Sequence, residues 1–142
     1  MLKIKRAETQ AEFFGLARVR TLVFVKEQQV DPEIELDCED DTAIHYIAIV
    51  DGQVVGTCRI LLHEKEAKLG RMAILAPYRR MKIASTLIQA VEQERSALAF
   101  TNLKLGAQMQ AIPFYESCGF QVYGPVFLDA NIEHRMMVKN YE

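Results

Sequence analysis

The sequence predicts one mixed α/β (α+β) domain over residues 1–142, and three observations predict it. Short β-rich segments fill most of the first half, an amphipathic helical pattern follows, and a strand, a short helix and two more strands complete the chain. A chain of 142 residues can bury one hydrophobic core without metal or disulfide support. Half of the residues are hydrophobic and a quarter are charged, which is typical of an ordinary globular protein.

The N-terminal third is expected to form a strand, a helix and a loop. Residues 2–6 alternate apolar and charged side chains, which favours an edge strand. Thr9 can cap a helix that follows it. The apolar residues of this helix recur at roughly helical spacing and are Phe13, Phe14, Leu16, Ala17, Val19 and Val23. Residues 31–42 are strongly acidic and are expected to form a loop.

Three strands are expected next. Residues 44–50 and 53–62 are rich in β-forming side chains and flank the pair Asp51-Gly52. An Asp-Gly pair between two such segments is a strong hairpin signal. Residues 68–75 form a further apolar strand, which follows a second turn near residues 63–66.

The second half begins with a helix that starts near Ile83. Its apolar stripe consists of Ala84, Leu87, Ile88, Val91 and Leu98. Residues 102–106 predict a strand, and residues 111–117 predict a short helix that Gly119 closes. Residues 121–127 and 132–139 predict two more strands joined by a polar turn.

The composition argues against several classes of function. The formal net charge of −2 gives no global attraction to nucleic acid or to an acidic membrane. No apolar run is long enough to span a bilayer, and the N-terminus lacks the apolar core of a signal peptide. Cys38, Cys58 and Cys118 are odd in number and form no CxxC pair, so neither a disulfide framework nor a metal site is expected. A cytoplasmic protein fits these features.

A cluster of positive charge lies between the strand at 68–75 and the helix after it. Arg79, Arg80 and Lys82 precede a helix start, where backbone N–H groups lack partners and carry partial positive charge. Such a junction is suited to a phosphate or pyrophosphate group. The alternative for this segment alone is a solvated turn, and the two interpretations have equal weight.

Three short motifs carry a family resemblance. The first is Arg/Gln-x-x-Gly-x-Gly/Ala, which Arg79 and Ala84 match at its ends, while Lys82 stands in place of the middle glycine. The second is Asn-x-x-Ala-x-x-x-Tyr-x-x-x-Gly-Phe, which here reads Gln108, Ala111, Tyr115, Gly119 and Phe120. The third is R-x-x-V-F-V-x-E-Q, whose polar residues here are Arg20, Glu27 and Gln28.

On these motifs the chain resembles the GNAT acetyltransferase superfamily, and within it the small bacterial ElaA/YjcF type. The resemblance implies the GNAT fold: a mixed, mostly antiparallel central sheet of about six to seven strands, splayed at the cofactor site and flanked by about four helices. It also implies that acetyl-CoA is the co-substrate and that no metal takes part. The residues that would bind the co-substrate are Met72, Ala73, Ile74, Arg79, Arg80, Met81, Lys82, Ile83, Ala84, Ser85, Gln108 and Tyr115.

The resemblance also implies catalytic roles. Tyr115 lies where the family places a tyrosine that protonates the departing CoA thiolate, and its alternative role is packing in the short helix. The general base stays open. Glu27 and His134 are the leading candidates, and imidazole is well suited to proton exchange near neutral pH. His45, Glu133 or a chain of water molecules could also accept the proton.

The implied function is an acetyl-CoA-dependent N-acetyltransferase that transfers an acetyl group to a primary amine by direct attack in a ternary complex. The alternative is a non-catalytic acyl-CoA-binding regulatory module with the same fold, and an acyl-homoserine lactone synthase-like enzyme ranks below both. The acceptor would be a small-molecule or peptide amine, with no nucleic acid and no membrane as partner, and a homodimer is compatible with the family. The acidic segment at residues 31–42 is either a solvated loop or an attractor for a cationic amine.

Overall fold

The computed structural model describes residues 1–141, which form a seven-stranded mixed sheet with helices packed on it. The strand order is β1-β2-β3-β4-β5-β7-β6. The strands are β1 (Leu2–Arg6), β2 (Ile44–Val50), β3 (Gln53–His63), β4 (Glu66–Ile74), β5 (Asn102–Gln108), β6 (Gln121–Asp129) and β7 (Ile132–Asn140). The α-helices are α1 (Gln10–Arg20), α2 (Pro32–Glu35), α3 (Ile83–Gln93), α4 (Arg95–Leu98) and α5 (Ile112–Ser117).

The expected strands and turns are confirmed. β1 pairs only with β2 and is therefore an edge strand. Asp51 and Gly52 both have positive φ, as a two-residue hairpin turn of type I′ requires. Thr9 Oγ1 accepts a hydrogen bond from the Glu12 N–H at 3.1 Å, so it caps α1 as predicted.

The joint between β4 and β5 is parallel and short, whereas every other pair of neighbouring strands is antiparallel. Only Glu66, Ala67 and Lys68 of β4 are paired with β5, opposite residues 102–104. β4 continues to Ile74 and β5 to Gln108 without further pairing between them. The sheet is therefore splayed from about residue 69 onwards, as the resemblance implies.

A β-bulge lies in β4 at the start of this splay. Thr57 of β3 faces Ala73, and Arg59 faces Gly70, so two residues of β4 lie opposite one residue of β3. Arg71, the first of the two, has a left-handed backbone with φ of 53°. A bulge bends its strand and increases the local twist, which here turns β4 away from β5.

Three expectations about the helical segments are wrong in detail, and two of them concern which residues share a helix face. Phe13 and Phe14 are 40% and 66% exposed, because only Leu16, Val19 and Val23 of this stretch face the core. Leu98 belongs to the separate one-turn helix α4, since the chain leaves helical geometry at Glu94. With α4 counted separately, residues 1–141 contain five α-helices, and two of these are single turns.

The third wrong expectation concerns the acidic segment, which is not a plain loop. It contains α2 and a 3₁₀ turn at Cys38–Asp41. Asp31 caps α2 by accepting a hydrogen bond from the Glu33 N–H at 2.8 Å, and Pro32 occupies the first helical position.

Gly15 allows α1 to pack closely on β3. A Cβ atom at this position would lie 2.6 Å from Val54 Cγ2 and 3.0 Å from Val54 Cβ. Val54 is β-branched and buried, so it has little freedom to move aside. α3 packs against β1 to β4, and the hydrophobic core lies between the sheet and these helices.

We predict that Gly15→Ala destabilises the protein. Alanine favours a helix interior over glycine by about 1 kcal/mol. Overpacking against a rigid core side chain costs about 1–3 kcal/mol, so the net loss should be about 1 kcal/mol. The free energy of unfolding from urea denaturation measures it. Gly70→Ala is the matched control, because its Cβ would meet nothing within 4 Å. A Gly15→Ala variant more stable than wild type would contradict the close packing.

Candidate active site

The splay between β4 and β5 opens into a cavity of about 740 Å³. Its walls come from β3, β4, β5, the α5 region, the β6–β7 hairpin and the segment that follows α1. The polar and charged residues that line it are Gln28, Glu35, Asp37, Glu39, Arg59, Lys68, Arg71, Arg79, Gln108, Gln110, Tyr115, Asp129 and His134. Of the three predicted catalytic residues, Tyr115 and His134 lie on this cavity and Glu27 does not.

Tyr115 is fixed by aromatic packing. It is buried in α5 and makes edge-to-face contacts with Phe114 and Phe120, at ring-centroid distances of 5.0 and 5.9 Å. Its hydroxyl group has no hydrogen-bond partner within residues 1–141. Burial raises the pKa of Tyr115 well above its ordinary value, so the hydroxyl keeps its proton at any physiological pH. The residue thus packs within the aromatic cluster and places a protonated hydroxyl group on the cavity wall.

His134 lies on β7, directly opposite Gln108 of β5. Its Nδ1 is 2.6 Å from the Ile132 carbonyl oxygen, which assigns the proton to Nδ1. Nε2 then carries the free lone pair. The ring also stacks on Phe127 with a centroid distance of 5.7 Å. The buried imidazole is therefore held in one orientation, with Nε2 available to accept a hydrogen bond or a proton.

Gln108 joins two parts of the cavity wall. Its Nε2 donates to Gln28 Oε1 at 2.8 Å, and its Oε1 accepts from Gln110 Nε2 at 2.6 Å. The second and third sequence motifs therefore meet at this pair of amides. The contact links the end of β5 to the segment that follows α1.

Glu27 forms an ion pair with Arg79 instead of facing the cavity. The two Arg79 Nη atoms donate to the two Glu27 carboxylate oxygens at 2.6 and 2.7 Å. This hydrogen bonding lowers the pKa of Glu27, which makes it a weaker base. Arg79 Nε also donates to the Ile74 carbonyl oxygen at 2.9 Å, so the pair fastens the end of β4 to the chain after α1.

The two remaining base candidates lie elsewhere. His45 Nε2 is 3.0 Å from the Asp40 carbonyl oxygen, and His45 belongs to a different cavity. Glu133 is exposed and does not line the active-site cavity.

The start of α3 is open for an anion. α3 has no side-chain cap, and its first backbone hydrogen bond runs from the Thr86 N–H to the Lys82 carbonyl oxygen. The N–H groups of Ile83, Ala84 and Ser85 therefore lack acceptors within the helix. Arg80 and Lys82 form no salt bridge within residues 1–141. Cationic charge and free amides thus coincide where the first motif lies.

Lys82, which stands where the first motif has its middle glycine, has a left-handed backbone. Its φ and ψ are 63° and 20°, which is the left-handed region. Arg80, two residues earlier, has φ of 64°. A left-handed conformation costs a residue with a side chain roughly 1–2 kcal/mol, so this junction is strained.

Six charged residues form a network that was not predicted from the sequence, and we call it the arginine–carboxylate network. Its members are Arg20, Arg59, Arg71, Glu35, Asp37 and Asp40. Arg20 is 3% exposed and donates from Nε to Glu35 at 2.6 Å and from both Nη atoms to Asp40 at 2.8 and 3.0 Å. The signal available in the sequence was three arginines within otherwise apolar stretches and one acidic segment.

The other two arginines complete the network. Arg59 is buried on β3 and donates to both oxygens of Asp37 at 2.8 Å and to Asp40 at 2.7 Å. Arg71, at the β4 bulge, donates to the Glu35 carbonyl oxygen at 3.0 Å and to Asp37 at 3.1 Å. Neither interpretation of the acidic segment describes Glu35, Asp37 and Asp40, because all three carboxylates are paired with arginines.

No group of His, Cys, Asp and Glu residues in the described part of the chain is arranged to hold a metal ion. None of the helices described is both long and apolar enough to cross a lipid bilayer.

Comparison with known proteins gives a consistent result. The family model described as "Acetyltransferase (GNAT) domain" matches residues 17–141. YjcF of Bacillus subtilis (strain 168), an uncharacterised N-acetyltransferase, is 36% identical over 141 residues, which cover 98% of this chain and 100% of YjcF.

Two solved structures show the same fold. Escherichia coli ElaA superposes with a TM-score of 0.87 at 23% identity and covers 99% of this chain and 100% of its own. An aminoglycoside 6'-N-acetyltransferase complexed with coenzyme A has a TM-score of 0.79 at 14% identity, over 97% of this chain and 96% of that one.

We predict that Lys82→Gly stabilises the protein while weakening anion binding. Glycine adopts the left-handed conformation without the side-chain penalty, so the free energy of unfolding should rise by about 1 kcal/mol. Lys82→Ala is the matched control, since it loses the charge but keeps the strain. Urea denaturation measures stability, and calorimetric titration with coenzyme A measures binding. Equal stability of the glycine and alanine variants would contradict a strained Lys82.

We also predict a pH-dependent contribution from Asp37. Hydrogen bonds from Arg59 lower the pKa of Asp37 from 3.8 to about 2. A carboxyl group with a lowered folded-state pKa stabilises the fold above its unfolded-state pKa, and this contribution disappears as the pH falls from about 4 to about 2.

Asp37→Asn should therefore lower the free energy of unfolding at pH 7 by on the order of 2 kcal/mol, and the deficit should shrink below about pH 3. Urea denaturation across this pH range checks the prediction. Asp129→Asn is the control, because Asp129 is exposed and forms no ion pair within the described residues. A deficit that does not change with pH would refute the assignment.

Proposed function

The chain belongs to the GNAT acetyltransferase family and is an N-acetyltransferase. We propose that it transfers an acetyl group from acetyl-CoA to a primary amine. In this proposal the amine attacks the thioester directly in a ternary complex. The observation that carries the proposal is the splayed cleft, because Tyr115 and His134 lie on one cavity there. A cavity of about 740 Å³ has room for two reacting groups at once.

The residues at the start of α3 fit a diphosphate group. Free N–H groups at residues 83–85 and the positive end of the helix dipole attract an anion, and Arg80 and Lys82 add two unpaired charges. Arg79 is already engaged by Glu27 and Ile74, so its role is to hold the loop. When bound, acetyl-CoA would supply the thioester carbonyl and the thiolate leaving group.

Strand β4 supplies a backbone donor for the carbonyl oxygen. The Leu75 N–H donates to the Val55 carbonyl oxygen at 2.9 Å, so Ala73, two residues earlier and opposite Thr57, also directs its N–H towards β3. Met72, at the bulge, remains as the donor, and we assign it the oxyanion role rather than Ala73.

Tyr115 and His134 take the two proton-transfer roles. The Tyr115 hydroxyl stays protonated and can give its proton to the thiolate. His134 Nε2 can accept a proton from the attacking amine, directly or through one water molecule. We do not assign the role of base to Glu27, because both of its carboxylate oxygens accept hydrogen bonds from Arg79 and it does not line the cavity.

We infer that the acceptor is a small-molecule or peptide amine. Glu39 and Asp129 line the cavity from two different walls and are both exposed. Arg59 is the nearest cation to Glu39, at 3.9 Å, so the pairing there is weak. These two carboxylates, rather than the buried members of the arginine–carboxylate network, would favour a cationic acceptor.

The proposal predicts that Tyr115→Phe lowers kcat for acetyl transfer by roughly 100-fold or more. The phenyl ring keeps the aromatic packing, so coenzyme A affinity and stability should stay at wild-type values. The rate at which the free thiol of coenzyme A is released, with a panel of primary amines as acceptors, measures kcat. Calorimetry measures the binding of coenzyme A. Tyr123→Phe is the matched control, since Tyr123 is exposed on β6 and does not line the cavity.

His134→Gln supplies the second arm of this experiment. It should lower kcat and remove one limb of the pH–rate profile, because the proposed base is lost. Wild-type turnover in Tyr115→Phe would refute the general-acid role. An unchanged pH profile in His134→Gln would refute the base, and no binding of coenzyme A to wild type would refute the proposed function as a whole.

A further inference from the structure

A second cavity, of about 520 Å³, lies between α1, the acidic segment and the start of β2. We propose that it is a binding site for a small amphipathic cation, with an apolar body and an alkylated ammonium head. It shares only Glu35 with the lining of the active-site cavity, so it is a separate site. Its volume falls in the range of cavities that hold small ligands.

Most of the wall is apolar. The apolar lining residues are Phe13, Leu16, Ala17, Val25, Pro32 and Leu36. Phe13 is 40% exposed and Leu36 is 67% exposed, so both present apolar surface that the protein itself leaves uncovered. Covering this surface with an alkyl or aromatic group would remove it from water, which is favourable.

The charge of this cavity favours a cation over an anion. Arg20 is the cationic residue on the wall, and it is fully engaged by Glu35 and Asp40. Within the arginine–carboxylate network, three arginines balance three carboxylates. Asp41 is additional to this balance: it lines the cavity, is exposed, and has no hydrogen bond or ion pair within residues 1–141. The cavity thus carries one uncompensated negative charge.

The wall of the same cavity also carries an aromatic ring. Phe13 and His45 form a T-shaped ring contact, with a centroid distance of 5.6 Å and an interplanar angle of 80°. His45 Nε2 is engaged by the Asp40 carbonyl oxygen, so the histidine braces the ring. A phenyl ring and an unpaired carboxylate around an apolar cavity are the features that recognise an alkylated ammonium group.

Octyltrimethylammonium, titrated below its micelle-forming concentration, is the probe. It has no N–H group and cannot be acetylated, so its binding is independent of the proposed reaction. 1-Octanol is the neutral analogue, and octyl sulfate is the anionic one. Calorimetry on the full chain should show the cation binding more tightly than the alcohol and the sulfate not binding.

Two variants locate the binding. Ala17→Phe fills the cavity from an exposed position on α1 and should weaken the cation by about tenfold or more. Asp41→Asn should weaken it by about twofold to fivefold and leave the alcohol unchanged. Phe14→Ala is the matched control, because Phe14 is 66% exposed on the same helix and lies outside the cavity lining. The Phe14→Ala variant should bind the cation with the same affinity as wild type.

Three results would overturn the proposal. They are the absence of cation binding to wild type, equal binding by wild type and Ala17→Phe, and displacement of the cation by coenzyme A. A dimer that buries this face in solution and blocks the probe would also overturn it, in favour of a second copy as the occupant.

Discussion

The site depends on one feature of the sheet: the parallel pairing between β4 and β5 is short. Three residues of each strand are paired, and beyond them the two strands continue with no hydrogen bonds between them. Unpaired backbone groups are unfavourable in a protein interior, so such a gap persists only where a ligand or water completes the hydrogen bonding. The bulge at Arg71 turns β4 away from β5 while β4 stays paired with β3, and the continued β5–β7 pairing holds Gln108 opposite His134. The gap therefore has the unpaired backbone of β4 on one side and the side chains of Gln108 and His134 on the other.

The arginine–carboxylate network keeps that gap in shape from the other side. Arg71 at the bulge donates to the Glu35 carbonyl oxygen, so the left-handed residue of β4 is tied directly to the acidic segment. Moving the acidic segment away from the sheet would separate these charges and leave them uncompensated, which is costly for the buried pair of Arg20 and Glu35. Not every polar atom of the network is hydrogen-bonded: Arg59 Nε is buried and has no partner within the described residues. Because Glu35 belongs to both cavity linings, the network separates the two cavities.

The features that could be read from the sequence depend on local chemistry. The Asp51-Gly52 turn, the Thr9 cap and the positive φ of Gly119 each follow from a few adjacent residues. The motif around residues 79–84 likewise placed a helix start correctly at Ile83. The features that were missed are long-range pairings. Glu27 and Arg79 are 52 residues apart, and no periodicity in either segment indicates that their side chains meet. The same holds for Arg59 and Asp37, 22 residues apart, so the sequence did not indicate that Glu35, Asp37 and Asp40 pair with arginines.

Lys82 departs from the first motif, which has glycine at this position, and its neighbours Arg79 and Arg80 show what this change does. Arg79, which matches the first motif, donates hydrogen bonds to Glu27 and to the Ile74 carbonyl oxygen. It therefore links the end of β4 to the segment that follows α1. Arg80 and Lys82 both have left-handed backbones and form no ion pair within the described residues, so their positive charges are uncompensated. Strained residues persist only where their neighbours fix them. Here Arg79 is anchored on one side and the buried Ile83 on the other. The junction thus combines the backbone shape that glycine usually provides with a cation that glycine cannot provide.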